Sequence, residues 1–162
     1  MKRPALSVPV VLVLAALVLS ASGSAAIVPQ HSIGGAKLGM TRAQVEAQLG
    51  APNRVQFHKS EALGFTWRDL VYPRVTVSVF ALESGQKVVI LTTKSKLERT
   101  TTGVGVGSTL AQLKAGLKGE TCRREYGIDH CWIGRWEVGK VTTDLRLVRG
   151  SVSEITIGVV LD

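Results

Sequence analysis

Leu38-Gly39-Met40-Thr41-Arg42-Ala43-Gln44-Val45-Glu46-Ala47-Gln48-Leu49-Gly50 decides the fold, because the chain repeats it in looser form as Val106-Gly107-Ser108-Thr109-Leu110-Ala111-Gln112-Leu113-Lys114-Ala115-Gly116-Leu117-Lys118. Thr41 and Thr109 stand 68 positions apart. Each is followed three residues later by a glutamine, Gln44 or Gln112. This is the spacing of a capping box, in which a hydroxyl and an amide each satisfy a free backbone N–H at a helix start. Val45/Leu49 and Leu113/Leu117 are i,i+4 pairs, so each short helix carries one apolar stripe.

Working outward, Gly50-Ala51-Pro52 ends the first helix, since Gly suits the left-handed residue after a helix and Pro cannot extend it. Lys118-Gly119 ends the second. Strands follow in matched pairs: Arg54–His58 with Cys122–Tyr126, Leu63–Leu70 with Cys131–Val138, Val75–Val79 with Leu145–Leu147, and Val88–Thr93 with Ile155–Leu161. Val75-Thr76-Val77-Ser78-Val79 alternates cleanly, as a half-buried antiparallel strand does. Turn residues lie between, at Tyr72-Pro73, Glu83-Ser84-Gly85, Tyr126-Gly127 and Arg149-Gly150. With the offset of 68 the two halves share seven identities, all between Gly35 and Leu49. The chain therefore divides into residues 1–26, a leader, and two repeats, 27–94 and 95–162. The expected fold class is α+β: two tandem α-ββββ units forming one eight-stranded antiparallel sheet with helices on one face and the other face open.

Lys2 and Arg3, the apolar run Val8–Leu19 and the small residues Ser24-Ala25-Ala26 have the form of a signal peptide cleaved after Ala26. The run is broken by Ser20, Ser22, Gly23 and Ser24 and falls short of the ~20 apolar residues of a membrane span. Loss of Lys2 and Arg3 lowers the net charge from +8 to +6. The remaining basic residues are scattered, which argues against nucleic acid; at most they draw the protein to an anionic envelope polymer. In an oxidising compartment Cys122 and Cys131 are expected to pair. The closed loop of about ten residues is worth ~2–3 kcal/mol by loop entropy.

Leu38-Gly39-Met40-Thr41, then Gln44-Val45, then Leu49-Gly50-Ala51-Pro52, resembles the L-G-M-T…V…L-G-x-P opening of the SmpA/OmlA (BamE-like) domain. Two such units in tandem, exported and carrying a hairpin disulfide, resemble the β-lactamase inhibitory protein (BLIP) fold. The resemblance implies a binding module that grips a partner with the open face of its sheet. The chain departs from both patterns. It has no cysteine at the cleavage site for a lipid, aromatics are 5 % of its residues, and Val71-Tyr72-Pro73-Arg74 carries no acid at its tip. A target other than a lactamase is therefore expected.

Chemistry-bearing motifs are weak. Gly103-Val104-Gly105-Val106-Gly107-Ser108-Thr109 lacks the Lys of a phosphate-binding loop, and its twin before the first helix marks it as a structural lead-in. His31, His58 and His130 share no ligand or triad spacing, and no G-x-S-x-G follows the leader. No catalytic residue, metal or cofactor is expected. The candidate partner-binding residues are Trp67, Arg68, Trp132, Arg135, Trp136 and Arg146, because Trp and Arg are the usual anchors of protein interfaces; core packing is the competing use for each Trp. The expected function is a secreted, non-catalytic protein-binding module whose partner is a protein or cell-envelope component, with membrane contact only through the leader. The alternative is a structural envelope protein held by charge to an anionic polymer.

Overall fold

Three very short strands, β1 (Ile27–Val28), β2 (Ser32–Ile33) and β3 (Ala36–Lys37), form a small antiparallel sheet ahead of the first helix. This computed structural model describes residues 26–61, 64–82 and 85–161; the expected leader therefore lies outside the described residues up to its last position. Helix α1 (Arg42–Leu49) follows, then strands β4 (Arg54–Ser60), β5 (Phe65–Val71), β6 (Thr76–Leu82) and β7 (Gly85–Thr93). Helix α2 (Leu110–Gly116) precedes β8 (Thr121–Glu125), β9 (Ile128–Gly134), β10 (Val141–Val148) and β11 (Ser151–Val159).

Both helix starts have reciprocal caps. The Thr41 N–H donates to Gln44 Oε1 at 2.8 Å and the Gln44 N–H returns to Thr41 Oγ1 at 3.3 Å. Thr109 and Gln112 make the same exchange at 2.9 and 3.2 Å. Gly50 ends α1 at φ 80° while its N–H donates to Glu46 O at 2.9 Å, a conformation that favours Gly.

The large sheet is antiparallel throughout, in the order β4-β5-β6-β7-β11-β10-β9-β8. Each four-stranded meander runs from its outer edge inward, and the two meet where β7 pairs with β11. Ile155 stands opposite Thr93 and Ile157 opposite Leu91. The meanders each contain one register shift, at Ser78/Val79 and at Arg146/Leu147. One face of the sheet is apolar. Leu70, Val77, Leu91, Cys131, Leu145 and Ile155 belong to one core cluster with Val45 of α1, Leu113 of α2 and Ile33 and Ala36 of the small sheet.

The α+β expectation is corrected. Strands hold 51 % of the residues and helices 12 %, and the small three-stranded sheet is a further β element. The physical reason is length. The helices have only eight and seven residues, about two turns each, so the sheet β1–β3 supplies apolar cover through Ile27, Ile33 and Ala36. Strands of two residues show no alternation and leave no periodic trace in sequence. The strand expected over Cys131–Val138 is also shorter. β9 stops at Gly134, whose φ is 100° and where a Cβ would lie 2.7 Å from Val141 O.

Burial rather than capping carries each helix. Leu113 is fully buried, whereas the cap of α2 is exposed. Leu113→Ala is expected to cost about 2–5 kcal/mol and Thr109→Ala about 1 kcal/mol, as read from urea denaturation midpoints at constant slope.

Candidate functional site

Strand alternation sends every second residue of the large sheet away from the core, and cross-strand partners share a face. One continuous row on this open face runs Val71, Thr76, Thr92, Thr156, Asp144, Trp132, Thr121. The Thr92 and Thr156 hydroxyls meet at 3.3 Å across the β7·β11 junction. The middle of the face is thus floored by small polar side chains, and a trough of about 560 Å³ lies there between Asp69, Ser78, Thr92 and Glu154. Lys94 closes on Glu154 at 3.0 Å at its border.

An aromatic group flanks the trough on each side. On β4–β6, Trp67 lies between His58 and Phe80, which are its register partners. The ring centroids are 4.9 and 5.6 Å apart and nearly parallel, and Phe65 tilts against Trp67 and Phe80. Offset stacks of this kind are favourable beyond their buried area. On the other side His130, Trp132 and Trp136 form a triangle with centroids 5.1–5.4 Å apart. Arg123 lies over the Trp132 ring at 5.5 Å, a cation–π contact.

His58 and His130 are each held by a carboxylate. His58 Nε2 lies 3.0 Å from Asp69 Oδ2 without the alignment of a hydrogen bond, and the Ser78 hydroxyl donates to Asp69 Oδ1 at 2.6 Å. His130 Nδ1 is hydrogen bonded to Asp144 Oδ1 at 2.9 Å, while its Nε2 stands 3.7 Å from Glu125 Oε2 and lacks a hydrogen-bond partner. Ser78, Asp69 and His58 are not a nucleophile triad. The carboxylate stands in the middle and the Ser78 hydroxyl donates to it, so the imidazole is not placed to take the serine proton. The pairs instead fix ring positions. Among the described residues no group of three His, Cys, Asp or Glu side chains is arranged to hold a metal ion.

The expected site residues separate into three locations. Trp132, Trp136 and Arg146 lie together, Arg146 opposite both His130 and Glu154 in register; exposed Arg135 adjoins them in sequence. Trp67 is on the same face but across the trough. Arg68 is on the core-side face, where its guanidinium covers the Phe57 ring at 4.6 Å and donates to Gln86 Oε1 at 3.1 Å. Trp136 lies beyond the end of β9, so shared strand parity does not place it, but it still meets Trp132. His58, Asp69, Phe80, Arg123, His130 and Asp144 were not among the expected site residues. His130 shares strand parity with Trp132, and that signal was available. His58 is placed only by the register of β4 on β5.

The Cys122–Cys131 disulfide joins register partners of the β8·β9 hairpin. Tyr126 and Gly127 form its turn with φ of 50° and 80°. Two positive φ values are those of the tight hairpin turn that favours Asn-Gly. Here the first position is a fully exposed Tyr. Ile128 and Trp136 nearby are also exposed, Trp136 at 44 %.

No family model and no curated protein matches the chain. A solved structure of an extracellular protein containing an SCP domain from Bacillus anthracis str. Ames is similar at 14 % identity with a TM-score of 0.44; the alignment covers 75 % of this chain and 43 % of that one.

Burial pushes the Asp144 carboxyl above its ordinary range; the charge and hydrogen bond of His130 oppose the rise, Glu154 adds to it and Arg146 opposes it. A raised folded-state value means that the folded chain holds this proton more tightly than the unfolded one. The stability Asp144 contributes is therefore complete below about pH 4, its ordinary range, and is lost as pH rises through the raised value. Asp144→Asn removes this titration. Wild type is expected to lose stability relative to the variant as pH rises from about 4, in urea denaturation at pH 3.5, 5 and 7.

Proposed function

We propose that the chain is an exported, non-catalytic protein-binding module of the tandem BamE/BLIP-like type, with repeats at 27–94 and 95–162, and that it grips its partner with the β8–β10 end of the open face. The observation that carries this reading is the exposure of Tyr126, Ile128 and Trp136 in and just after the β8·β9 hairpin, which also carries exposed Arg123 and is followed by exposed Arg135, with exposed Arg146 on neighbouring β10. Aromatic and arginine side chains that reach solvent together are the composition of interface centres. A Tyr at a turn position suited to Asn gives up backbone comfort to stand at a hairpin tip. The disulfide holds that hairpin, so presenting the tip costs little further ordering when a partner binds. Arg123 is already paired with Glu125 at 3.4 Å, so it is Arg135, Arg146 and the net charge of +6 left after leader removal that fit a partner surface bearing carboxylates. The Ser78-Asp69-His58 order supports the non-catalytic part of the reading.

Affinity capture from the extracytoplasmic fraction with the processed protein tests this. Trp136→Ala and Arg146→Glu are expected to weaken capture more than tenfold, the scale of an interface hot spot. Phe57→Ala, on the opposite face, is expected to leave it unchanged. Equal capture by all variants, with release by moderate salt, would favour the charge-held envelope protein instead, since exposed charges are screened by salt.

A further inference from the structure

Glu98 is a carboxylate short of donors. It lies between β7 and α2 and its side chain is completely enclosed. Arg74 is its ion-pair partner, but the Nε–H is poorly directed at Oε1, and among the described residues neither carboxylate oxygen receives a hydrogen bond. A buried carboxylate in that condition retains a large desolvation penalty. It lines a cleft of about 700 Å³ together with Ala26, Gly34, Lys37, Tyr72 and Arg74. Among the described residues Lys37 makes no ion pair with it, and the Tyr72 hydroxyl is turned to Gly50 O at 3.3 Å.

The start of the described chain runs beside this carboxylate. The Ala26 carbonyl accepts from the Gly34 N–H at 2.6 Å. A Cβ on Gly34 would lie 3.7 Å from Glu98 Oε2, so Gly34 is also the carboxylate's neighbour. The Ile27 N–H donates to Arg99 O at 3.0 Å, one residue from Glu98.

We propose that the leader is cut between Ala25 and Ala26, and that the α-ammonium group of Ala26 enters the cleft and pairs with Glu98. Hydrolysis adds one water across that peptide bond, leaving a carboxylate on Ala25 and an ammonium on Ala26. The ammonium brings a charge and three donors, where the uncut peptide brings one neutral N–H. A cut after Ala26 would remove the carbonyl that Gly34 uses and would put the charge on Ile27, whose nitrogen already serves Arg99 O. Gly23 and Ala25 meet the small-residue requirement as Ser24 and Ala26 do. Processing then completes the fold, because the precursor offers Glu98 the Arg74 charge but not the donors that its two oxygens leave unmet.

The inference rests on the export reading, and two measurements separate them. Intact mass of the extracytoplasmic protein is expected to show Ala26 as first residue. A start at Ile27 overturns the inference. An uncut chain overturns the export reading, and the second measurement then decides the pairing. For that, chains beginning at Ala26 or at a Gly-Ser extension before it are compared with and without Glu98→Gln. The substitution is expected to lower Tm by about 5–10 °C in the Ala26 chain and by less than half as much in the extended one. Equal shifts overturn the pairing. If Glu98→Gln does not fold, acylation of the α-amine in the unsubstituted Ala26 chain at pH 7 is the readout. It is expected to be at least about tenfold slower in the native protein than in urea, because a paired, buried ammonium presents no free amine; equal rates overturn the proposal.

Discussion

The ladder between β7 and β11 is the interaction on which the remaining structure depends. Each meander alone ends in a strand whose inner edge has unpaired N–H and C=O groups, which is an aggregation hazard. Pairing Ile155 with Thr93 and Ile157 with Leu91 removes both inner edges and makes one apolar face from two. The approach is close. A Cβ on Gly158 would sit 3.0 Å from Ile90 Cγ1 and 3.2 Å from Val89 O, so the junction uses the one residue without a side chain. The edges left over, β4 and β8, carry Arg54, His58, Lys59, Arg123 and Arg124. Charge of this density on an outer strand discourages further strand addition.

Joining the sheet at that ladder enlarges the apolar face faster than two short helices can cover it. The segment Ile27–Lys37 supplies the difference. It places Ile27, Ile33 and Ala36 in the core and ties itself down by the Gln30 N–H, which donates to Thr143 Oγ1 at 2.5 Å, and by Gln30 Nε2, which donates to Val141 O at 2.9 Å. These bonds reach from the first residues of the fold to β10, in the other meander. The segment Ile27–Lys37 is therefore structural cover for the core.

Helix starts and strand order were legible because each rests on local chemistry. A Thr with Gln three residues on can be read without any tertiary contact, and Thr76-Val77-Ser78-Val79 declares its own period. The sheet β1–β3 was not legible, since two residues cannot show a period and its register is set by Gly34, at φ 60°, and by contacts more than a hundred residues away. Trp132 and Arg146 were legible by alternation. Arg68 was grouped with Trp67 by residue type, as an interface anchor, yet neighbours in a strand face opposite ways. The carboxylates that hold the two histidines were missed for a related reason. Asp69 and Asp144 sit eleven and fourteen residues beyond His58 and His130 and reach them only through strand register.

The two aromatic groups on the open face differ in a way that decides which could meet a partner. Trp67 has both ring faces occupied, by His58 and Phe80, and Phe80 is itself buried. Trp67 is half-buried, so less of its apolar area remains for a partner to cover than at an exposed ring. Trp136 meets His130 edge-on and Trp132 at a tilt, and keeps 44 % of its surface exposed. The hydrophobic gain there is still available. The disulfide and the exposed Tyr126 also lie at that end, on the hairpin that pairs with β10 through β9. On this face the first meander stacks Trp67 between His58 and Phe80, whereas the second buries Trp132 and leaves Trp136 exposed.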